Sequence, residues 1–322
     1  MTNTLDAACA PIFAGDQRAA ARLISRIEAG DRTTAPLLQT LYAKSGATPV
    51  IGITGPPGAG KSTLADQLVA VWRAQGFSVA VLAVDPSSPI TGGSLLGDRV
   101  RMGRHNADRG VFIRSMAARG RLGGLAGAAG DALIVLGAMG FSRILVETVG
   151  TGQNEIDILN YASSVVSVQT PAGGDAVQAM KSGMLEIGEI FAVNKADLAG
   201  ADRTVAALRD NIEFRYHAAP PDQWVPPVLK TNANSGSGVA ELDVALTAHT
   251  AHYKTFPAQQ QKHERLRARG ILVERLSDIL RERHGPDATH TECFEQALDS
   301  IIARAADPYS AALKLLSETG LA

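Results

Sequence analysis

Cysteine is nearly absent from this chain of 322 residues, which holds only Cys9 and Cys293. Two thiols are too few for a disulfide framework or a cysteine-rich metal centre, and a reducing compartment, the cytoplasm, suits them best. An excess of either charge is missing as well, with 31 Lys and Arg against 32 Asp and Glu. No overall field therefore draws the chain to nucleic acid or to an anionic membrane. Long apolar runs are also lacking. The longest, Ala132 to Phe141, falls well short of the roughly 20 residues that span a bilayer. The opening MTNTLDAACAPIFAG has no basic segment leading into an apolar core, so it is not expected to act as a signal peptide. The seven histidines are scattered without ligand spacing, which predicts no transition-metal site. The hydrophobic content of 45% is ample for a core, and the length suits two domains or one large α/β domain with helical additions.

The informative stretch runs from Val50 to Leu64, VIGITGPPGAGKSTL. Gly55-x-x-x-x-Gly60-Lys61-Ser62 follows an apolar strand-like run and precedes a helical pattern of Leu64, Leu68, Val71 and Trp72. That strand, loop and helix context is the one a phosphate-binding loop requires. Gly55, Gly58 and Gly60 carry no Cβ, so the loop can turn tightly and aim successive N–H groups at one anion, reinforced by the positive end of the helix dipole. Lys61 is placed to reach the β- and γ-phosphates, and the Ser62 hydroxyl to complete a magnesium site. Ala59 and Thr63 complete the candidate nucleotide-binding run.

Further strands end in polar residues. Phe77 to Val84 reads as a buried parallel strand ending at Asp85. There the carboxylate either faces a magnesium ion in the ligand crevice or caps an Asx-turn before Pro86. Thr91 to Arg99 is a Gly-rich loop of the kind a γ-phosphate orders. Val111 to Arg114 forms a short strand. The loop with Arg119 and Arg121 meets phosphate or a partner, or is simply solvated. Ser142 to Val149 is another buried strand, with Glu147 near its end to hold magnesium or its water, and Gly150 beyond it can bring an N–H close to a γ-phosphate. After the strand Ser163 to Gln169, the residues Asp175, Gln178 and Lys181 share one helical face, which by periodicity alone is an exposed polar face.

Glu189 to Val193 leads into Asn194-Lys195-Ala196-Asp197. A carboxylate after this strand can accept from both the imino and the exocyclic amino groups of guanine, a pair adenine does not present, so Asp197 selects guanine. Past the strand Pro226 to Lys230, Asn232 and Ala233 begin a polar turn whose Ala233 N–H either contacts the guanine carbonyl or merely leads into the helix from Val239. Helical lead-in residues 1–48, a nucleotide domain 49–255 and a helical region 256–322 are the expected divisions. The last carries an apolar stripe of Leu272, Leu276, Ile279 and Leu280 suited to packing or dimerisation.

Taken together, GPPGAGKST (55–63), VLAVDPSSPITGGSLLGDRVRM (81–102), FIRSMAARGRLGGLAG (112–127), ILVETVGTGQNE (144–155), GGDAVQAMKSG (173–183) and AVNKAD (192–197) make the chain resemble the MeaB/ArgK family of P-loop GTPases. The likeness reaches from the leading helices to the DPYSAA segment, nearly the whole chain. It implies an α/β fold with a mostly parallel central sheet flanked by helices. It also implies a magnesium-dependent GTPase, GTP to GDP and phosphate, that acts as chaperone of an adenosylcobalamin-dependent acyl-CoA mutase, notably methylmalonyl-CoA mutase. In that resemblance Asp85, Asp98 and Glu147, with Ser62, surround the magnesium. Asp175, Gln178 and Lys181 form a third switch that conveys nucleotide state to the mutase, and the C-terminal helices form a homodimer arm. Asn232 stands where guanine loops often carry Ser. Two other readings stay open beside it: an ArgK-like kinase that phosphorylates a transport protein, and a nickel-inserting GTPase, which would ask for Cys and His ligands that this chain lacks.

Overall fold

The computed structural model describes residues 2–46, 48–85, 102–117, 127–148, 158, 160–171, 187–284 and 291–318, with 2–4, 85, 117, 281–284, 291, 315 and 317–318 described in their backbone only. Seven strands form one sheet: β1 (Val50–Thr54), β2 (Val79–Asp85), β3 (Val111–Ala117), β4 (Arg143–Thr148), β5 (Ser164–Gln169), β6 (Ile190–Val193) and β7 (Val228–Lys230). Their order is β3-β2-β4-β1-β5-β6-β7, and every described pairing is parallel. Parallel neighbours cannot be joined by tight turns, so each connection crosses over the sheet and both faces acquire cover. This explains why β1, β4 and β5 are buried along almost their whole length rather than on alternate residues.

The two faces sort by residue parity. Ala80, Leu82, Val84, Ile144 and Val146 point to one side, where they meet α1 (Thr2–Phe13), α2 (Gln17–Glu28), α3 (Ala35–Tyr42) and α5 (Gly127–Ala138) through residues such as Ile24, Leu41 and Leu136. Ile51, Ile53, Val79, Val81, Leu145 and Val166 point to the other, against α4 (Lys61–Ala74) and α7 (Val239–Thr255) through Leu64, Leu68, Trp72, Leu242 and Leu246. The leading helices are thus part of the main hydrophobic core. Asp16 caps α2 by accepting from the amides of Arg18 and Ala19, and Arg114 of β3 pairs with Glu28 at that helix's end. A smaller cluster packs α6 (Ala201–Tyr216) on Phe191, Val193 and Val228.

β2 begins two residues later than the apolar run from Phe77 suggests. Gly76, at φ +86°, and Phe77 return hydrogen bonds to the carbonyls of Arg73 and Trp72, so both residues close α4 before the chain enters the sheet. Trp72 Nε1 donates to the buried Asp243 at 2.7 Å, which fixes α4 against α7.

The chain divides into two compact units, 1–267 and 268–322. The second holds the later turns of α8 (Pro257–His284) together with α9 (Thr291–Ile302) and α10 (Pro308–Glu318). It leaves Leu272, Val273, Leu276, Ile302 and Tyr309 largely exposed. Among the described residues no helix is long and apolar enough to cross a membrane.

Candidate nucleotide-binding site

The site residues gather at the C-terminal ends of β1, β4, β6 and β7, where the strand order turns about β1. Two glycines of the first loop are fixed by close approach. A Cβ on Gly55 would lie 2.2 Å from the Val168 carbonyl oxygen, and one on Gly60 would lie 2.4 Å from Asn194 Nδ2. Gly60 is also left-handed at φ +88° and caps α4, so the first amides of that helix open onto the loop. Lys61 is buried, and its Nζ donates to the carbonyls of Gly55 at 2.7 Å and Pro56 at 3.1 Å, which holds the ammonium along the loop. Ser62 Oγ donates to Glu147 Oε1 at 2.5 Å, and both residues are buried. The β1–β4 register places Glu147 beside Ile53, which brings a β4 side chain to the first turn of α4. Thr63, one residue on, is exposed.

Asn194 is 1% exposed and ties the two halves of the site together. Its Nδ2 donates to the Ala59 carbonyl at 2.8 Å. Its Oδ1 accepts from the Ala233 amide at 2.9 Å and from Thr231 Oγ1 at 3.4 Å. The asparagine therefore acts as a strut between the phosphate-side loop and the loop after β7, and the Ala233 N–H, a candidate for the guanine carbonyl, is engaged with it here. Lys195 follows in the left-handed region at φ +57°. Asp197 is exposed, and its Oδ1 accepts from Asn232 Nδ2 at 2.8 Å.

The structure thus brings together the 55–63 run, Glu147, Asn194, Lys195, Asp197, Asn232 and Ala233. Asp98, Gly150, Asp175, Gln178 and Lys181 lie outside the described residues, as does the side chain of Asp85. Sequence reasoning missed Gln67. From the second turn of α4 its Nε2 donates to the Ala233 carbonyl at 3.0 Å, so this one residue is held through both its N–H and its C=O. A lone glutamine in an amphipathic helix gave no cue, because the partner lies 166 residues further along the chain.

A parallel sheet whose central strand feeds a Gly-x-x-x-x-Gly-Lys-Ser loop, with a strand-end carboxylate against the serine and an Asn-Lys-x-Asp corner opposite, is the architecture of a P-loop nucleotide hydrolase. The family model described as methylmalonyl-CoA mutase-associated GTPase MeaB matches residues 19–285, and the chain belongs to that family. It is accordingly a GTPase, a hydrolase of the GTP phosphoanhydride. A protein of Pyrococcus abyssi is 43% identical over 304 residues, covering 94% of this chain and 93% of that one. The GTPase ArgK of Escherichia coli is 37% identical over 233 residues, 70% of each. Among solved structures, a LAO/AO transport system kinase superposes with a TM-score of 0.70 at 23% identity over 98% of both chains, a likeness of fold.

Proposed function

We propose that this GTPase is magnesium-dependent and serves as chaperone of an adenosylcobalamin-dependent acyl-CoA mutase, with methylmalonyl-CoA mutase the first candidate, gating cofactor loading and protecting or reactivating the enzyme. The observation that carries the chemistry is the Ser62–Glu147 contact beside Lys61. A hydroxyl and a carboxylate are hard oxygen donors, the set magnesium prefers, so these residues fit the ion. Ser62 and Glu147, joined by Asp85 and Asp98, would hold it. Bound there, the ion neutralises charge on the phosphate oxygens.

The remaining work falls to the chain. The loop amides from Gly58 to Ser62 and the Lys61 ammonium stabilise the charge that builds on the β–γ bridging oxygen as a water attacks the γ-phosphorus in line and GDP leaves. Gly150 lets a backbone N–H approach the γ-phosphate, while Asp197, with Asn194, Lys195, Asn232 and Ala233 around it, admits guanine. Asp175, Gln178 and Lys181 carry nucleotide state to the mutase. The exposed apolar residues of 256–322 suit a homodimer, and the cytoplasm suits the whole.

Three measurements test this reading. Calorimetry should show GTP bound far more tightly than ATP, and equal affinities would remove the guanine assignment. Lys61→Ala should abolish tight triphosphate binding, and normal hydrolysis by that variant would refute its phosphate role. Co-purification with a cobalamin-dependent mutase should depend on a non-hydrolysable GTP analogue, and its failure with every such mutase would end the chaperone role while leaving the GTPase. An ArgK-like kinase would instead leave a stable phosphorylated acceptor, whereas the chaperone releases only inorganic phosphate.

A further inference from the structure

We infer that Asn232 is a positioning residue for base selection: its carboxamide sets the plane of the Asp197 carboxylate so that two acceptor sites face the donor edge of guanine. This deepens the guanine reading above and rests on it. The Asn-Lys-x-Asp corner by itself places Asp197 on an exposed turn. The carboxylate there follows a left-handed Lys195, and Leu198 returns a hydrogen bond to the Lys195 carbonyl. Nothing in that turn fixes the torsion about the carboxylate.

Asn232 does so from the loop after β7. Its Nδ2 donates to Asp197 Oδ1 at 2.8 Å, a bond to an ionised acceptor and so one of the stronger kind. Its own orientation is fixed by the other end of the amide. Oδ1 accepts from the amides of Asn234 at 3.0 Å and Ser235 at 3.3 Å, an arrangement only the oxygen can satisfy, which leaves the NH2 group facing Asp197. The backbone of Asn232 is held as well. Its N–H donates to the Ser237 carbonyl at 2.8 Å across an isolated bridge. The next residue, Ala233, is gripped by Asn194 and Gln67. A rigid loop therefore presents one donor to one oxygen of the carboxylate.

A carboxylate has about four lone-pair sites, and this bond occupies one of them. The second site on Oδ1 and those on Oδ2 stay in a fixed plane. A ring imino N–H and a neighbouring exocyclic amino group, the pair that guanine presents, need two acceptors so fixed. Hypoxanthine keeps the imino group and lacks the amino group, so the difference between GDP and inosine diphosphate (IDP) reports on the second acceptor alone.

The experiment compares GDP, IDP and ADP by calorimetry on the full chain and on Asn232→Ala, Asn232→Asp, Asp197→Ala and the double variant Asn232→Ala/Asp197→Ala. Asn232→Asp keeps the acceptor that closes the local turn and replaces the donor by a carboxylate oxygen that repels Asp197, so it turns the carboxylate without the general collapse of the loop that Asn232→Ala risks. Both Asn232 variants are expected to lose about tenfold in GDP affinity, with the GDP-to-IDP preference falling towards one. Adding Asn232→Ala to Asp197→Ala should cost nothing more, because the residue acts through the carboxylate. An unchanged GDP-to-IDP ratio in Asn232→Asp, or additive losses in the double variant, would overturn the inference. A wild-type chain that binds ADP as well as GDP would overturn the guanine reading and this inference with it, and that failure is visible before any variant is made.

Discussion

Replacing Asn194 by Ala is expected to weaken the fold as much as the binding of nucleotide. The buried carboxamide satisfies the Ala59 carbonyl and the Ala233 amide, and both of those residues are themselves buried. Truncation leaves two backbone groups without partners, at about 1–3 kcal/mol each, while the 3.4 Å contact from Thr231 adds little. The nucleotide-free chain should therefore lose about 3 kcal/mol, a shift of roughly a hundredfold in the unfolding equilibrium. Urea unfolding followed by circular dichroism measures the loss, and GDP calorimetry on the same samples measures the coupled fall in affinity. Asn194→Asp separates the two arms. It keeps the acceptor for Ala233 and turns the donor into an oxygen facing the Ala59 carbonyl, so it should destabilise at least as much. Should Asn194→Ala lose GDP affinity while its unfolding midpoint stays where it was, the residue would be a base contact and the strut argument would be wrong.

Three further outcomes follow from the same geometry. Gly55→Ala should abolish nucleotide binding or folding, because the new Cβ meets the Val168 backbone at 2.2 Å, whereas Gly15→Ala, also at positive φ with nothing within 4 Å, should cost about 1 kcal/mol; similar melting points for the two would refute the close-approach argument. Trp72→Phe removes the donor to Asp243 Oδ1 and leaves that carboxylate only Gln75 among the described residues, so thermal unfolding should report a loss of about 2 kcal/mol, and a wild-type melting point would show that α4 and α7 are held by apolar packing alone. Burial pushes the His263 imidazole below its usual 6.5 against the pull of Glu189, 3.1 Å away, so the unfolded chain binds this proton more readily than the folded one. Stability from this group is present above 6.5 and lost as pH falls below it, and His263→Gln should flatten the decline in melting temperature between pH 7.5 and 5.5; an equally steep decline would assign it to other groups.

How much of this was legible in advance depended on the range of the interaction. The strands from Val50, Val79, Arg143, Ser164 and Ile190 stood out as apolar runs, because a parallel sheet buries both faces of each strand. The phosphate-side loop was legible for a similar reason: glycines, lysine and serine at fixed spacing act on one another within a single turn of chain. The start of β2 lies two residues beyond the expected one, since Phe77 is apolar enough for the sheet and only its return bond to Trp72 ties it to the end of α4. Glu147 could be proposed as a strand-end acid, yet its pairing with Ser62 depends on β4 lying beside β1, an adjacency between segments that the chain separates by 85 positions.

The sequence alone therefore determined the chemistry on offer: a loop proposed for phosphate, a carboxylate proposed for guanine and a sheet of largely apolar strands. Local patterns carry such information because backbone conformation and side-chain type are set within a few residues. Only the tertiary structure decided that Asn194 braces Ala59 against Ala233, that Gln67 grips the same residue from α4, and that Asn232 holds Asp197. Each of those bonds joins residues 35 or more positions apart, and its energy depends on strand order and burial, quantities that exist only once the sheet has assembled.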